Sequence, residues 1–434
     1  MSPKRTANEA EVLNDPHRPP DHAVAQCRGR SFAPTRGGDV TVAPGARWSL
    51  LLLLGTLTMI DIMSIDLYLP AFPAIARTLH ASTSEVQATL SVFVFGLAGG
   101  QVLYGPVFDR FGRRAPLLFG IALFVGGTVL AALAPTIELL LVARLLQAGG
   151  AAAGIVAPRA VVTDLFAERD AAAVYSVLGQ IQMLAPIIAP VLGAAILQWS
   201  GWRASFWLLA LIGVAIWAVA YRVAPDSLPP ERRSPLSLRS VASAYAGLLR
   251  NRPFIFYSAA NALIFGALFA YVSVSPFVLI AHFGFSSMQF GLIFGGIALT
   301  AAAAGALNIR LLPAFGPRAL LACGLGVYCL AGLALCALSL SHGSGWAYVA
   351  ALACCVGAFG LVFGNLIAST MARAGAQAGV ASAFMGAGQY VGGAVVGLLT
   401  GWIGTTPGVL AAALLTCGLA TLAFVVAAGA SLKK

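Results

Sequence analysis

The chain has 434 residues, of which 59% are hydrophobic and 9% charged, and a formal net charge of +11. A soluble globular domain carries about 25% charged residues, so a water-soluble fold is excluded. The basic residues are spread among loops rather than gathered on one face, which argues against a nucleic-acid partner.

Residues 1–46 are polar, rich in Pro and Arg and without periodicity, and read as a disordered cytoplasmic tail. The first apolar run begins too late and is too long for a signal peptide. From residue 47 onward apolar runs of about 20 residues recur, the pattern of membrane-spanning helices. The alternating segments of a barrel are missing. Spans are expected near 48–72, 86–107, 115–134, 139–161, 173–197, 204–223, 254–281, 289–311, 319–340, 346–369, 381–403 and 408–430. A Pro-rich, charged cytoplasmic central loop, 224–252, separates a first six-helix bundle (47–223) from a second (253–430). Within that loop, Pro235 to Arg250 could form an amphipathic surface helix, with Leu238, Val241, Tyr245, Leu248 and Leu249 on one side. The expected fold is an all-α membrane protein with twelve transmembrane helices in two six-helix bundles related by pseudo-twofold symmetry. Such folds place a substrate site near the midplane between repeats. A channel or an integral membrane enzyme could share the span count. The lipid bilayer is the first expected partner.

Orientation follows from the cations, because cytoplasmic loops carry the excess of Lys and Arg. With both termini inside, the inner segments hold Arg110, Arg113, Arg114, Arg159, Arg222, Arg310, Arg318 and Arg373 among others, and the tail ends in Lys433 and Lys434. The outer loops hold Arg77 and Arg203. His80, His282 and His342 sit at outer loops and make poor members of a buried relay. Apart from Cys27, the cysteines (Cys323, Cys329, Cys336, Cys354, Cys355, Cys417) lie in apolar runs and read as small core residues; no metal site or cofactor is expected.

The first span contains Asp61-Ile-Met-Ser-Ile-Asp66-Leu-Tyr68-Leu-Pro70. Each carboxylate costs roughly 2.5–3.5 kcal/mol at a helix centre on insertion scales, and no Asp or Glu follows Glu231. If protons cross through carboxylates, Asp61 and Asp66 are the candidates. Five residues turn a helix by about 140°, so the two are not expected to share a face. Asp61 lies about 20 Å from Arg47 along the helix and Asp66 about 27 Å. Asp66 is then either a group that touches outside water and loads a proton, or a solvated helix end. Asp61 is either a second titrating group, a hydrogen-bonded packing group or a plain cavity wall.

The loop after the second span reads Gly105-Pro-Val-Phe-Asp109-Arg110-Phe-Gly112-Arg113-Arg114. The glycines permit a tight turn, Asp109 suits a helix N-terminus, and the arginines can pair with loop acids such as Asp164. In the fourth span, Arg144 needs a partner or water; Gln147 at i+3 can orient it, or it snorkels to the outer interface. Gly149, Gly150 and the following alanines admit a close helix neighbour. The fifth span carries Gln180, Gln182, Pro186, Pro190 and Gly193. The prolines bend it, and the two glutamines, about 200° apart, cannot both face a cavity. In the second half, Tyr257, Asn261 and Phe265 share one helix face, and Tyr271, Asn365, Gln389 and Tyr390 add polar and aromatic groups. They could line a pocket for an amphipathic ligand or serve in interhelical packing.

The Gly105–Arg114 loop resembles the signature of the major facilitator superfamily, and Asn308-Ile-Arg310-Leu-Leu-Pro-Ala-Phe-Gly316-Pro-Arg318 resembles a decayed copy of it. Phe108 departs from the small residue usual before the Asp. Arg144-Leu-Leu-Gln147-Ala-Gly149 is similar to the Arg-x-x-Gln-Gly element of drug:proton antiporters, whose Arg is associated with proton coupling. Ala189-Pro190-Val-Leu-Gly193-Ala194 resembles the antiporter motif of the fifth span with two glycines missing. Ile65-Asp66-Leu-Tyr68-Leu-Pro70-Ala71 and Gly201-Trp202-Arg203-Ala-Ser-Phe206 resemble the Bcr/CflA type of bicyclomycin and chloramphenicol exporters.

The resemblance implies proton-coupled efflux of small amphipathic drugs by alternating access, as a monomer, in a bacterial cytoplasmic membrane. The proton-coupling group would be Asp66, Arg144 and Asp61. The substrate contacts would be Tyr68, Gln180, Gln182, Tyr257, Asn261, Phe265, Tyr271, Asn365, Gln389 and Tyr390. Gating would rest on Gly105, Asp109, Arg110, Gly112, Arg113, Arg114, Asp164, Pro186, Pro190 and Gly193. No phosphate-binding loop or catalytic constellation stands in the sequence, so no enzyme activity is expected. A carrier of another small metabolite, or a non-transporting membrane sensor or scaffold, would share the fold.

Overall fold

The computed structural model describes residues 44–431 except 167, 230, 232–246, 342 and 374–377. The tail up to residue 43, most of the expected Pro235–Arg250 helix, His342 and the Lys433–Lys434 end lie outside the described residues. Among the described residues all regular structure is helical. The first half comprises α1 (Pro44–Asp66), a 3-10 turn (Leu69–Ala71), α2 (Phe72–Thr78), α3 (Thr83–Phe111), α4 (Arg114–Leu133), α5 (Ile137–Leu165), α6 (Glu168–Ser200) and α7 (Arg203–Val223). The second comprises α8 (Arg252–Pro276) with a π-helical turn (Phe277–His282), α9 (Ser287–Leu340), α10 (Gly345–Met371), α11 (Ala378–Ile403) and α12 (Pro407–Ser431).

Among the described residues, eleven helical stretches are long and apolar enough to cross a membrane. One of them, α9, has 54 residues, about 81 Å of helix against a hydrocarbon core of about 30 Å. It breaks at Gly316, where φ is 73° and ψ 163°. It therefore holds two stretches of spanning length, which brings the described residues to twelve. Gly112, with φ 83°, closes the second span of the first half in the same way. The starts of those two spans also match. Ser82 and Glu85 form a capping box at α3, and Ser286 and Gln289 form one at α9, so each helix satisfies its first orphan N–H groups with its own side chains.

Close packing inside the first half depends on small residues. A methyl at Gly127 would overlap the Gln147 backbone, and one at Gly150 would overlap the Phe124 backbone. α4 and α5 thus approach backbone to backbone, as small residues allow in lipid. Exposed Trp199, Trp346 and Trp402 all lie at helix ends on one side of the molecule, where amphipathic rings belong at a membrane interface. We call this the far end and the end bearing Arg113 the near end.

The halves meet along α3 with α11 and α6 with α9. They are sealed at the far end. Gln87 Nε2 donates to the Ser273 carbonyl at 3.2 Å, and the rings of Phe72 and Phe277 lie 5.7 Å apart. A methyl at Gly291 would come 2.8 Å from the Pro190 carbonyl oxygen, and one at Gly295 2.8 Å from that of Ile187. Toward the near end the halves enclose a cavity instead.

Candidate functional site

The cavity has a volume of about 820 Å³ and is lined from both halves. α1 contributes Asp61, Ile62, Ile65 and Asp66. These four positions sweep about 140° of helix surface, and a cavity of this width receives the whole arc. The two aspartates remain about 140° apart, as their spacing requires, yet both line the chamber: a wide space accepts side chains that a narrow groove would separate. Both carboxyls are nearly buried, Asp61 at 2% and Asp66 at 4% exposure, so Asp66 is not a solvated helix end in this conformation.

Tyr390 of α11 donates its hydroxyl to Asp61 Oδ2 at 3.3 Å, joining the two halves across the chamber. Phe265 holds the Tyr390 ring edge-on, with centroids 5.4 Å apart. Tyr271 stacks on Phe294 at 5.0 Å. Asp61 Oδ1, the Tyr271 hydroxyl and Gln101 Nε2 have no hydrogen-bond partner among the described residues, although all three residues line the cavity. Buried polar atoms are normally paired. Aromatic faces interspersed with open donors and acceptors are what a pocket for an amphipathic ligand requires.

Gln182, Pro186, Phe265, Tyr271, Gln389 and Tyr390 line the cavity. The other expected substrate contacts do not. Gln180 is exposed on the far side of α6 from Gln182, as their angular separation requires. Tyr68 is fully buried, its hydroxyl 3.2 Å from that of Thr89. Tyr257 lies under the Arg373 guanidinium, 4.2 Å from its ring centroid. Asn261 spends its Nδ2 on Thr370 Oγ1 at 2.7 Å and on the Tyr257 carbonyl at 3.0 Å. Asn365 Nδ2 donates to Asn308 Oδ1 at 2.7 Å. Apart from the exposed Gln180, these four are spent on packing, because a polar group in lipid first satisfies itself against neighbouring helices.

Arg144 is fully buried and does not snorkel. Its Nη1 donates to Gln147 Oε1 at 2.5 Å, and Gln147 Nε2 donates to Thr128 Oγ1 at 2.9 Å. The guanidinium lies 4.0 Å from the Phe93 ring centroid, 4.5 Å from Tyr68 and 5.9 Å from Phe206. Three aromatic rings, from the turn after α1 and from α3 and α7, thus cage the charge by cation–π contact. It forms no ion pair with Asp61 or Asp66; among the described residues the ion pairs are those of Arg113.

Arg113 organises the near end. It meets Asp109 at 2.9 Å and Asp164 at 2.8 Å. Its backbone N–H donates to Asp226 at 2.8 Å, and Ser227 donates to Asp164 at 2.7 Å. Burial works against the Arg113 charge, yet Asp164 and Asp109 outweigh it and hold its pKa above the ordinary value. Asp109 is thus taken up by Arg113 rather than by a helix N-terminus, because the turn at Gly112 brings the guanidinium back to it. Arg114 donates to the Tyr221 carbonyl at 2.6 Å, and Arg110 lies over Phe111 with its guanidinium 5.5 Å from the ring centroid. Gly105 has open space around it. Pro190 is buried beside Gly291, and Gly193 packs so tightly that a methyl would overlap the Leu67 carbonyl.

Sequence reasoning missed Arg159, Gln101, Phe359 and Phe363, all of which line the cavity. Arg159 was assigned to an inner segment as a topology charge, but it stands inside the apolar run 139–161, where an ionisable residue is a functional candidate by default. Phe359 and Phe363 stack at 4.8 Å; no local signal separates them from lipid-facing phenylalanines.

The family model of the Major Facilitator Superfamily matches residues 54–397. A Bacillus subtilis protein, described as the uncharacterized MFS-type transporter YdgK, is 35% identical over 83% of this chain and 90% of its own. A bicyclomycin resistance protein homolog of Haemophilus influenzae is 31% identical over 80% and 88% respectively. A chloramphenicol resistance protein of Pseudomonas aeruginosa is 32% identical over 68% and 70%. Among solved structures, a D-xylose-proton symporter superposes with a TM-score of 0.72 at 16% identity, covering 88% of this chain and 98% of the other. A bacterial homolog of the lysosomal transporter Spinster, inward-facing, gives 0.67 at 18% identity, covering 91% and 96%.

Proposed function

This chain belongs to the major facilitator superfamily, among relatives of its bicyclomycin and chloramphenicol resistance carriers, and on that premise we propose that it expels small amphipathic drugs in exchange for protons. The observation that carries the reading is the central cavity, where two carboxyls of one helix face aromatic and hydroxyl groups of the opposite half. The near end faces the cytoplasm of a bacterial cell, since the basic loops gather there, and both termini lie on that side. The carrier works as a monomer in the inner membrane.

In the proposed cycle, Asp66 receives a proton when the chamber opens outward. Asp61 shares the chamber and is tied to Tyr390 at 3.3 Å, so a change in its protonation alters a link between the halves. Substrate entering from the cytoplasm competes for the same polar atoms and discharges the proton inward. Arg144 acts through its aromatic cage and Gln147 rather than by direct pairing with either acid. One proton crossing ~100 mV releases ~2.3 kcal/mol, enough for roughly a fifty-fold gradient of a neutral drug.

The test is a susceptibility panel with chloramphenicol, florfenicol and bicyclomycin on a hypersensitive strain expressing the protein. Raised resistance that collapses when a protonophore is added is expected. Unchanged susceptibility to all compounds, with uptake of a small metabolite instead, would replace export by a facilitator role.

A further inference from the structure

A second cavity lies on the outer face of the first half, away from the transport chamber. It is a groove of about 670 Å³ between α3, α4 and α5, lined by residues from Phe95 to Phe111 of α3 and closed on its flanks by Phe119 and Leu145. Its wall is almost wholly apolar, and its floor is lowered by glycines. Gly99 has no heavy atom within 4 Å of where a Cβ would stand, so the space is real and unfilled by the protein.

The groove has a direction. From Phe95 to Phe111 it runs 16 residues along α3 (111 − 95), about 24 Å of helix. Its inner limit, Phe95, lies 12 residues from the helix start at Thr83 (95 − 83), about 18 Å in, near the middle of a membrane about 30 Å thick. Its other limit is the near end of α3. There the Arg110 guanidinium lies 5.5 Å from the ring centroid of Phe111, which itself lines the groove. Arg114 is directed elsewhere, to the Tyr221 carbonyl at 2.6 Å, and Arg113 is occupied by Asp109 and Asp164. Arg110 makes no ion pair among the described residues and is exposed.

An apolar channel that starts at mid-membrane and ends at Phe111, beside an exposed guanidinium that forms no ion pair among the described residues, has the form of one phospholipid leaflet. We propose that this groove is a binding site for an anionic phospholipid, with an acyl chain along α3 and the phosphate on Arg110. The near-end leaflet is the one in which basic residues meet anionic headgroups. A neutral lipid fills the same channel less tightly, because only the charged headgroup gains from the cation.

The purified full-length protein, exchanged into nanodiscs, tests this with phosphatidylglycerol carrying a photoactivatable acyl chain and with phosphatidylcholine carrying the same chain. In the wild-type protein, labelling by phosphatidylglycerol should concentrate on the groove, at Phe95, Leu103 and Phe119. Arg110→Gln should weaken phosphatidylglycerol retention about fivefold and leave phosphatidylcholine unchanged, the effect of one basic residue near the surface. Gly99→Phe should fill the channel and abolish groove labelling by both lipids. Labelling spread evenly around the bundle, equal retention of the two lipids, or a dimer that buries the groove against a second copy would overturn the proposal. Because the wild-type labelling pattern decides the site without any substitution, a misfolded variant would not rescue it.

Discussion

The two halves share one plan and differ in charge. Each second span begins with a capping box, at Ser82 in one half and Ser286 in the other, and each ends at a glycine with positive φ, Gly112 and Gly316. In the first half the turn after that glycine carries Arg113, tied to two aspartates. In the second half the corresponding segment holds Arg318, exposed and unpaired among the described residues, and the nearby polar contact is an amide pair, Asn308 with Asn365. All the acids lie before residue 232. A duplicated scaffold has thus kept its backbone devices in both copies and its carboxylates in one. The first half supplies groups that can gain and lose protons; the second supplies rings, hydroxyls and amides that can bind without changing charge.

Substitutions that cross this division should separate the roles. The largest effect belongs to Asp66→Asn: drug-driven proton movement in proteoliposomes should vanish, and the roughly fifty-fold gradient that one proton can support should fall to none, while expression is preserved. Its counterpart Tyr271→Phe should keep coupling and weaken drug affinity by up to about tenfold, the worth of one hydrogen bond. Normal coupled exchange by Asp66→Asn would remove the distinction between the halves.

Next in size is the near-end turn. Arg113→Ala leaves Asp164 without its guanidinium partner and should cost about 3 kcal/mol, the low edge for breaking a buried ion pair, since the Asp109 side chain is 60% exposed. Arg318→Ala, at the matching place in the second half, should cost under about 0.5 kcal/mol. Thermal unfolding in one detergent compares them, and equal losses would show that the second turn also carries a charge network. Asn365→Ala should cost about 1–3 kcal/mol by orphaning the Asn308 side chain. The smallest effect is expected from Gln87→Ala, which removes the single 3.2 Å hydrogen bond to the Ser273 carbonyl, worth about 1 kcal/mol. It should raise the labelling of a cysteine placed in the cavity by an impermeant reagent added outside.

The span pattern was legible because hydropathy is a local property: twenty apolar residues announce a crossing whatever surrounds them. The break inside α9 was equally legible, since the apolar runs 289–311 and 319–340 stop on either side of Gly316. Which side of each helix meets the chamber was not. These helices are apolar all round, so periodicity does not mark an inner face. Tyr257 and Asn261 have the spacing of a binding face, yet they turn to Arg373 and Thr370. Arg144 leaves two readings open in the sequence, because Tyr68, Phe93 and Phe206, which surround it, come from three separate segments. Asp61 and Asp66 stand out in the sequence by their cost in lipid, and both line the chamber; the angle between them holds, but it says nothing about how wide the space opposite is.

The far-end seal has a consequence for how the carrier responds to its surroundings. It is built from glycine–carbonyl approaches, a tilted pair of phenylalanine rings and one hydrogen bond from a side-chain amide, with no ion pair among the described residues. Dissolved ions weaken contacts between exposed charges and have little hold on contacts of this kind. Ionic strength, which should change the near-end network of Arg113, should therefore leave this closure unaltered.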